Sequence, residues 1–180
     1  AAAPGQTALA SPQALPTAQI DGVVWDQAVV GNTVYVVGEF HNARPAGAAA
    51  GENESPRYNA MAYDITTGEM LDWAPQLNAA ANAIEASPDG STLYIGGNFT
   101  KLNGANTYRV GAVSAADGSR QRLGLGTNTA VKAVEVSADG STLYIGGAFP
   151  VARPANRVLA TLARWSARDR LTSDRNHTNW

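Results

Sequence analysis

The chain has 180 residues, enough for about one domain with its own core. Its 13 Lys and Arg against 15 Asp and Glu give a net charge of -2, which excludes the basic field of a nucleic-acid binder. Zero Cys excludes disulfides, thiolate catalysis and Cys-ligated metals together, and two His, His41 and His177, leave little material for a histidine metal cluster.

Residues 1–20 carry no charge before Asp21 but contain Pro4, Pro12 and Pro16, and read as a flexible leader left by processing for export. No apolar run reaches the roughly 18 residues of a membrane-spanning helix, so membrane insertion is not expected. The first strand pattern is GNTVYVVGEF at 31–40, followed by an Ala-, Gly- and Pro-rich loop at 42–57. A third strand is expected at 59–65, a Thr67-Gly68 turn, and a fourth strand at 70–73.

The same order then returns. Strands are expected at 83–87 and 92–96 around Asp89-Gly90, where Gly supplies the positive φ of a tight hairpin. A loop at 100–107 contains Asn103-Gly104, and strands at 109–115 and 121–125 flank Asp117-Gly118. In the last third, SADGSTLYIGGAF at 137–149 repeats SPDGSTLYIGGNF at 87–99 with an offset of 50 residues. Strands at 157–165 and 169–172 complete that copy, and 174–180 is a tail.

Four short antiparallel strands per roughly 40 to 50 residues is the unit of a β-propeller blade. The expected fold is therefore all-β, with about three four-stranded blades at 21–77, 78–127 and 128–173. Closed propellers typically have about four to eight blades, so self-association or further blades of a longer chain should complete the ring.

The pattern L-Y-I-G-G-x-F, an Asn-Gly loop, R-V-x-A, Asp-Gly and a closing W-x-P resembles the kelch-like propeller repeats of secreted bacterial proteins. Thr92 to Phe99 and Thr142 to Phe149 carry it most clearly, and Trp73-Ala74-Pro75 supplies the closing element in the first copy. The first copy departs with Val37-Gly38 in place of Gly-Gly, and the third has Pro150 to Pro154 in place of the Asn-Gly loop. The resemblance implies the fold and no particular reaction.

Candidate sites weigh against plainer readings. The Gly-Gly doublets lack the helix N-terminus that a phosphate loop requires, so close backbone approach explains them better. Each Asp-Gly-Ser turn offers one carboxylate, too few for a calcium loop, and no metal or other cofactor is expected. Glu85 and Glu135 occupy equivalent first strands, which line the channel of a propeller, where they could bind a cation or act as an acid/base pair, or else lie at a solvated mouth or pair with Lys132 and nearby Arg residues. Arg109 and Arg157 read as recurring at the start of third strands, where structural pairing competes with ligand binding. Asn103 and Arg153 lie in loops of the expected binding rim. Trp25, Trp73, Trp165 and Trp180 could stack on sugar rings if exposed, with core packing the default for strand positions.

The expected function is a secreted or cell-surface module that binds or scaffolds without catalysis, its ligand a glycan or a protein. Loops 42–57, 100–107 and 150–156 would form its rim. The alternative is a carbohydrate-active hydrolase or lyase using the channel carboxylates Glu85 and Glu135.

Overall fold

Residues 33–37 show why each copy forms a sheet buried on both faces. Val34 and Val36 enter one apolar cluster with Phe40 and Met61, whereas Tyr35 and Val37 enter another with Ile84, Leu93 and Ile95. Strand alternation with bulk at both phases belongs to a sheet sandwiched between layers. The computed structural model describes residues 15–148 and two further strands, Ala152–Arg153 and Leu162–Ser166. Most of the expected leader and the tail at 174–180 lie outside the described residues.

Three antiparallel sheets follow along the chain. In the first, Val23–Val30 pairs with Thr33–Glu39, which pairs with Ala60–Asp64, and a bridge from Tyr63 to Met70 marks a fourth position. The second is a complete four-stranded unit of Ala81–Ala86, Thr92–Gly97, Val110–Ser114 and Arg120–Gln121. The third joins Val131–Val136, Thr142–Gly147 and Leu162–Ser166. No helix occurs among the described residues.

The sheets stack face to face with their first strands adjacent. Asp26 Oδ2 accepts the Ile84 amide at 2.9 Å, and Asn82 Nδ2 donates to the Val131 carbonyl at 2.8 Å. Tyr35 reaches from the first sheet to donate its hydroxyl to the Ala115 carbonyl at 2.8 Å and meets Trp73 edge-on, ring centroids 4.9 Å apart. The indole of Trp73 in turn donates to the Ser114 carbonyl at 2.9 Å. This arrangement is that of consecutive β-propeller blades, three of them among the described residues.

The register corrects two sequence expectations. Leu93 pairs with Val113 and Leu143 with Trp165, so the third strands of the second and third blades are offset by 52 residues rather than 50. Position 161 therefore matches Arg109, and Arg157 does not; Arg157 itself lies outside the described residues. Each first strand also carries a β-bulge, at Trp25, Asn82 and Lys132, which the apolar pattern did not announce.

Each blade also takes up the segment that leads into it. Ile20 pairs with Ala43, Leu77 with Leu102, and Thr127 with Ala152, so every lead-in is bound by the loop after the second strand of its own blade. Asp21 and Asn78 serve this junction identically. The Asp21 carboxylate accepts the amides of His41 and Asn42, and the Asn78 side chain accepts those of Thr100 and Lys101. Residues 15–20, expected to belong to a free leader, are thus laid against the first blade, with the Ala18 amide on the Gly68 carbonyl.

The glycine doublet divides its work between two contacts. A Cβ at Gly97 would lie 2.4 Å from the Ala80 carbonyl oxygen, a backbone atom just before the neighbouring first strand. A Cβ at Gly96 would lie 2.5 Å from Val131 Cγ1, on the next blade. The first blade carries Val37 at the second of these positions, and the second blade carries Ala81 at the position matching Val131, both in one buried cluster.

The Asp-Gly-Ser turns are held by their carboxylates. Asp139 accepts the Ser137 hydroxyl and the Ser141 amide and hydroxyl, which lower its pKa from the ordinary 3.8 to about 2. Asp89 is lowered in the same manner by Ser87 and Ser91. A depressed folded pKa stabilises above the unfolded value and is lost as pH falls through the folded one. Stability should therefore decline between about pH 4 and pH 2. Asp139→Asn should flatten that decline when the urea midpoint is followed against pH, and an unchanged slope would refute the assignment.

Candidate functional site

The loops after the second strands emerge at one edge of the sheets, because each is bound to the equivalent lead-in. The first, enlarged by the expected insertion, forms strands Asn42–Arg44 and Ser55–Pro56 with Arg44 and Glu54 3.9 Å apart. The second turns through Asn103 and Gly104 between Lys101–Leu102 and Ala105–Asn106. Of the third, only Ala152–Arg153 is described, paired with Gly126–Thr127. Arg153 is thus placed on the loop edge by its strand.

Two expected ligand residues at this edge are engaged in holding the backbone. Asn103 exchanges two hydrogen bonds with Gln76, each 2.8 Å, and donates Nδ2 to the Gly118 carbonyl at 2.9 Å. Arg109 stands at φ 70°, where its amide bonds the Phe99 carbonyl and its own carbonyl accepts the Gly97 amide. Its guanidinium donates to the Asn98 carbonyl. Asn59 fills the same position of the first blade at φ 71°, with Oδ1 on the Phe40 amide and Nδ2 on the Leu77 carbonyl. In the first two blades a left-handed residue thus stands just before the third strand, with a different side chain in each.

A cleft of about 190 Å³ opens beside them, lined by Thr107, Tyr108, Arg120, Arg122, Leu123 and Leu125 among others. Tyr108 is 54% exposed, and Arg120 Nε donates to Thr107 Oγ1 at 3.0 Å. Tyr58, 50 residues earlier, is also exposed and meets His41 edge-on. Sequence inspection passed over this pair, although the 50-residue offset joins Tyr58-Asn59 to Tyr108-Arg109. An exposed tyrosine offers a flat apolar face and a hydroxyl, and a neighbouring guanidinium adds a fork of donors.

Glu85 and Glu135 lie near enough for their charges to interact. Glu85 pairs across the strand with Tyr94 and Glu135 with Tyr144, so they hold matching positions on adjacent first strands. Burial raises the pKa of Glu85, and repulsion from Glu135 and Asp26 raises it further. Asp26 meanwhile is fixed by the amides of Gln27 and Ile84. A raised folded pKa means that the folded state holds its proton longer, so stability falls as pH rises from the ordinary 4.5 through the folded value. Glu85→Gln should remove this fall and leave the protein more stable at neutral pH, as thermal midpoints at pH 4 and pH 7 would show. Equal pH dependence in both proteins would contradict a raised pKa at Glu85. No group of three or more His, Cys, Asp or Glu suited to a metal occurs among the described residues.

Trp73 is 5% exposed, as expected for core, whereas Trp25 at its bulge is 56% exposed. Trp180 and His177 lie outside the described residues. No described helix is long and apolar enough to cross a membrane.

The blade topology defines the class of protein as an all-β, propeller-like repeat. The chain matches no family model and no curated protein. Among solved structures it is similar to the WD40 β-propeller domain of Doa1, with 14% identity and a TM-score of 0.43 over 80% of this chain. It spans about half of that chain, 50%. It is also similar to the computationally designed Ika4 protein, with 14% identity and a TM-score of 0.40 over 81% of this chain and 92% of that one.

Proposed function

We propose that the chain is a secreted or cell-surface β-propeller module that binds a glycan at its loop edge without catalysis. The observation that carries this reading is the recurrence of an exposed tyrosine, Tyr58 and Tyr108, at the same position of two blades, the second bordering a cleft with Arg120 and Arg122. Aromatic faces stack on the apolar side of a sugar ring, and guanidinium donors suit its hydroxyls or carboxylates. Asn103 and Arg109 support the site from behind by fixing the loop.

Glycan-array binding tests it. Tyr108→Ala should weaken the strongest array signal at least tenfold while the far-ultraviolet spectrum stays unchanged. Retained binding in a Tyr58→Ala, Tyr108→Ala double variant would overturn the loop-edge site.

A second reading is favoured by Glu85, whose raised pKa beside Glu135 is the arrangement of a carboxylate acid/base pair. In a hydrolase or lyase of polysaccharide, the protonated Glu85 would donate to the leaving oxygen. Turnover abolished by Glu85→Gln and Glu135→Gln would establish that reading in place of the first.

A further inference from the structure

We propose that two copies of this chain close into one six-bladed ring, the third blade of each docking on the open face of the other's first blade. On the outer face of the first blade the central strand is covered, Val34 and Val36 being 2% and 4% exposed with Ala18 and Ile20 packed against their cluster, whereas the first strand and the turn at Ile65 are not. In the filled junction between the first two blades, Ala81 and Ala115 face the preceding blade at 0% and 8% exposure. The register-matched residues of the first blade, Val24 and Ile65, are 44% and 45% exposed, and Val29 beside them 53%. Side chains larger than those buried elsewhere are therefore left in water on this face.

The vacant face also retains an aromatic seat. Tyr35 of the first blade donates its hydroxyl to Ala115 of the second, in the turn that ends at Gly118. The matching turn of the first blade borders a cleft of about 160 Å³ lined by Pro16, Tyr63, Ile65, Thr66 and Gly68 among others. Tyr144 holds the register position of Tyr35 on the third blade, half-buried, and its hydroxyl makes no hydrogen bond among the described residues. It is the tyrosine that a following blade would receive.

The size rule at the junctions selects a second copy as the occupant. Gly96 of the second blade faces Val131 of the third, and Val37 and Ala81 hold the matching positions at the first junction, in one buried cluster. A large residue on one side thus goes with a small one on the other. The third blade offers Gly146 at this position, and the open face of the first blade offers Val24, which repeats the Gly96 and Val131 combination. Two chains give six blades, within the roughly four to eight of closed propellers, about a two-fold axis along the channel.

Sedimentation equilibrium of the full chain over micromolar concentrations tests the ring. The wild type should be a dimer, and Val24→Lys, at an exposed position, should be a folded monomer. Gly146→Val should raise the dissociation constant at least tenfold, and adding Val24→Ala should bring it back toward wild type by recreating the Val37 and Ala81 pairing. A wild-type monomer with cooperative unfolding, open-ended polymers, or a dimer indifferent to both Val24→Lys and Gly146→Val would each overturn the proposal. Should Gly146→Val fail to fold, the Val24→Lys result decides alone.

Discussion

Replacing Phe99 by Ala should cost about 3–5 kcal/mol, a large part of the roughly 5–15 kcal/mol that holds a typical domain folded. Phe99 is 0% exposed in the core between the first two blades, and its ring lies close to Gly97 and Gly111 in one cluster with Leu77 and Leu102. Urea denaturation should show a lower midpoint with an unchanged m-value. A loss below about 1 kcal/mol would mean that the site collapses freely, contrary to the packing described.

The second large effect is a coupling between blades. Gly96→Val alone should destabilise by about 1–3 kcal/mol, because its Cβ would arrive 2.5 Å from Val131 Cγ1. Val131→Ala alone should cost about 2 kcal/mol in lost burial and cavity. Together they rebuild at the second junction the Val37 and Ala81 pairing of the first. The double variant should therefore be more stable than the sum of the single changes by about 1 kcal/mol or more. Simple additivity would show that the two positions do not face each other in solution.

The repeat made the sheets legible before any coordinates, since Tyr35, Tyr94 and Tyr144 with their flanking apolar residues fix the phase of every second strand. Asp89-Gly90 and Asp139-Gly140 likewise announced their hairpins, because few residues other than Gly accept φ near +70° there. The β-bulges stayed hidden. Trp25, Asn82 and Lys132 share no chemistry, and a bulge is set by pairing across the strand rather than by side-chain type. The Arg157 assignment failed for a related reason: a two-residue change in loop length moves a strand without altering its composition.

Site residues divided along the same line. Glu85 and Glu135 stand out in the sequence because their positions recur, and adjacent first strands bring them near each other. Asn103 and Arg109 drew attention as polar loop residues, yet their hydrogen bonds go to Gln76, Gly118 and Asn98 of the scaffold. Tyr58 and Tyr108 are ordinary strand-forming residues by composition, and only the left-handed residue that follows each turns them outward.

The lead-in segments put the unit of duplication and the unit of folding out of phase. Leu77 follows the first blade in the sequence but bridges Leu102 of the second, while Asn59 of the first blade grips its carbonyl. Releasing either blade therefore strips a strand partner from the other. In a nearest-neighbour description of repeat arrays, such sharing lowers the intrinsic stability of a single repeat and raises the interfacial coupling. Partly melted species with one blade detached are then disfavoured at equilibrium, and denaturation should travel through adjacent repeats as one event.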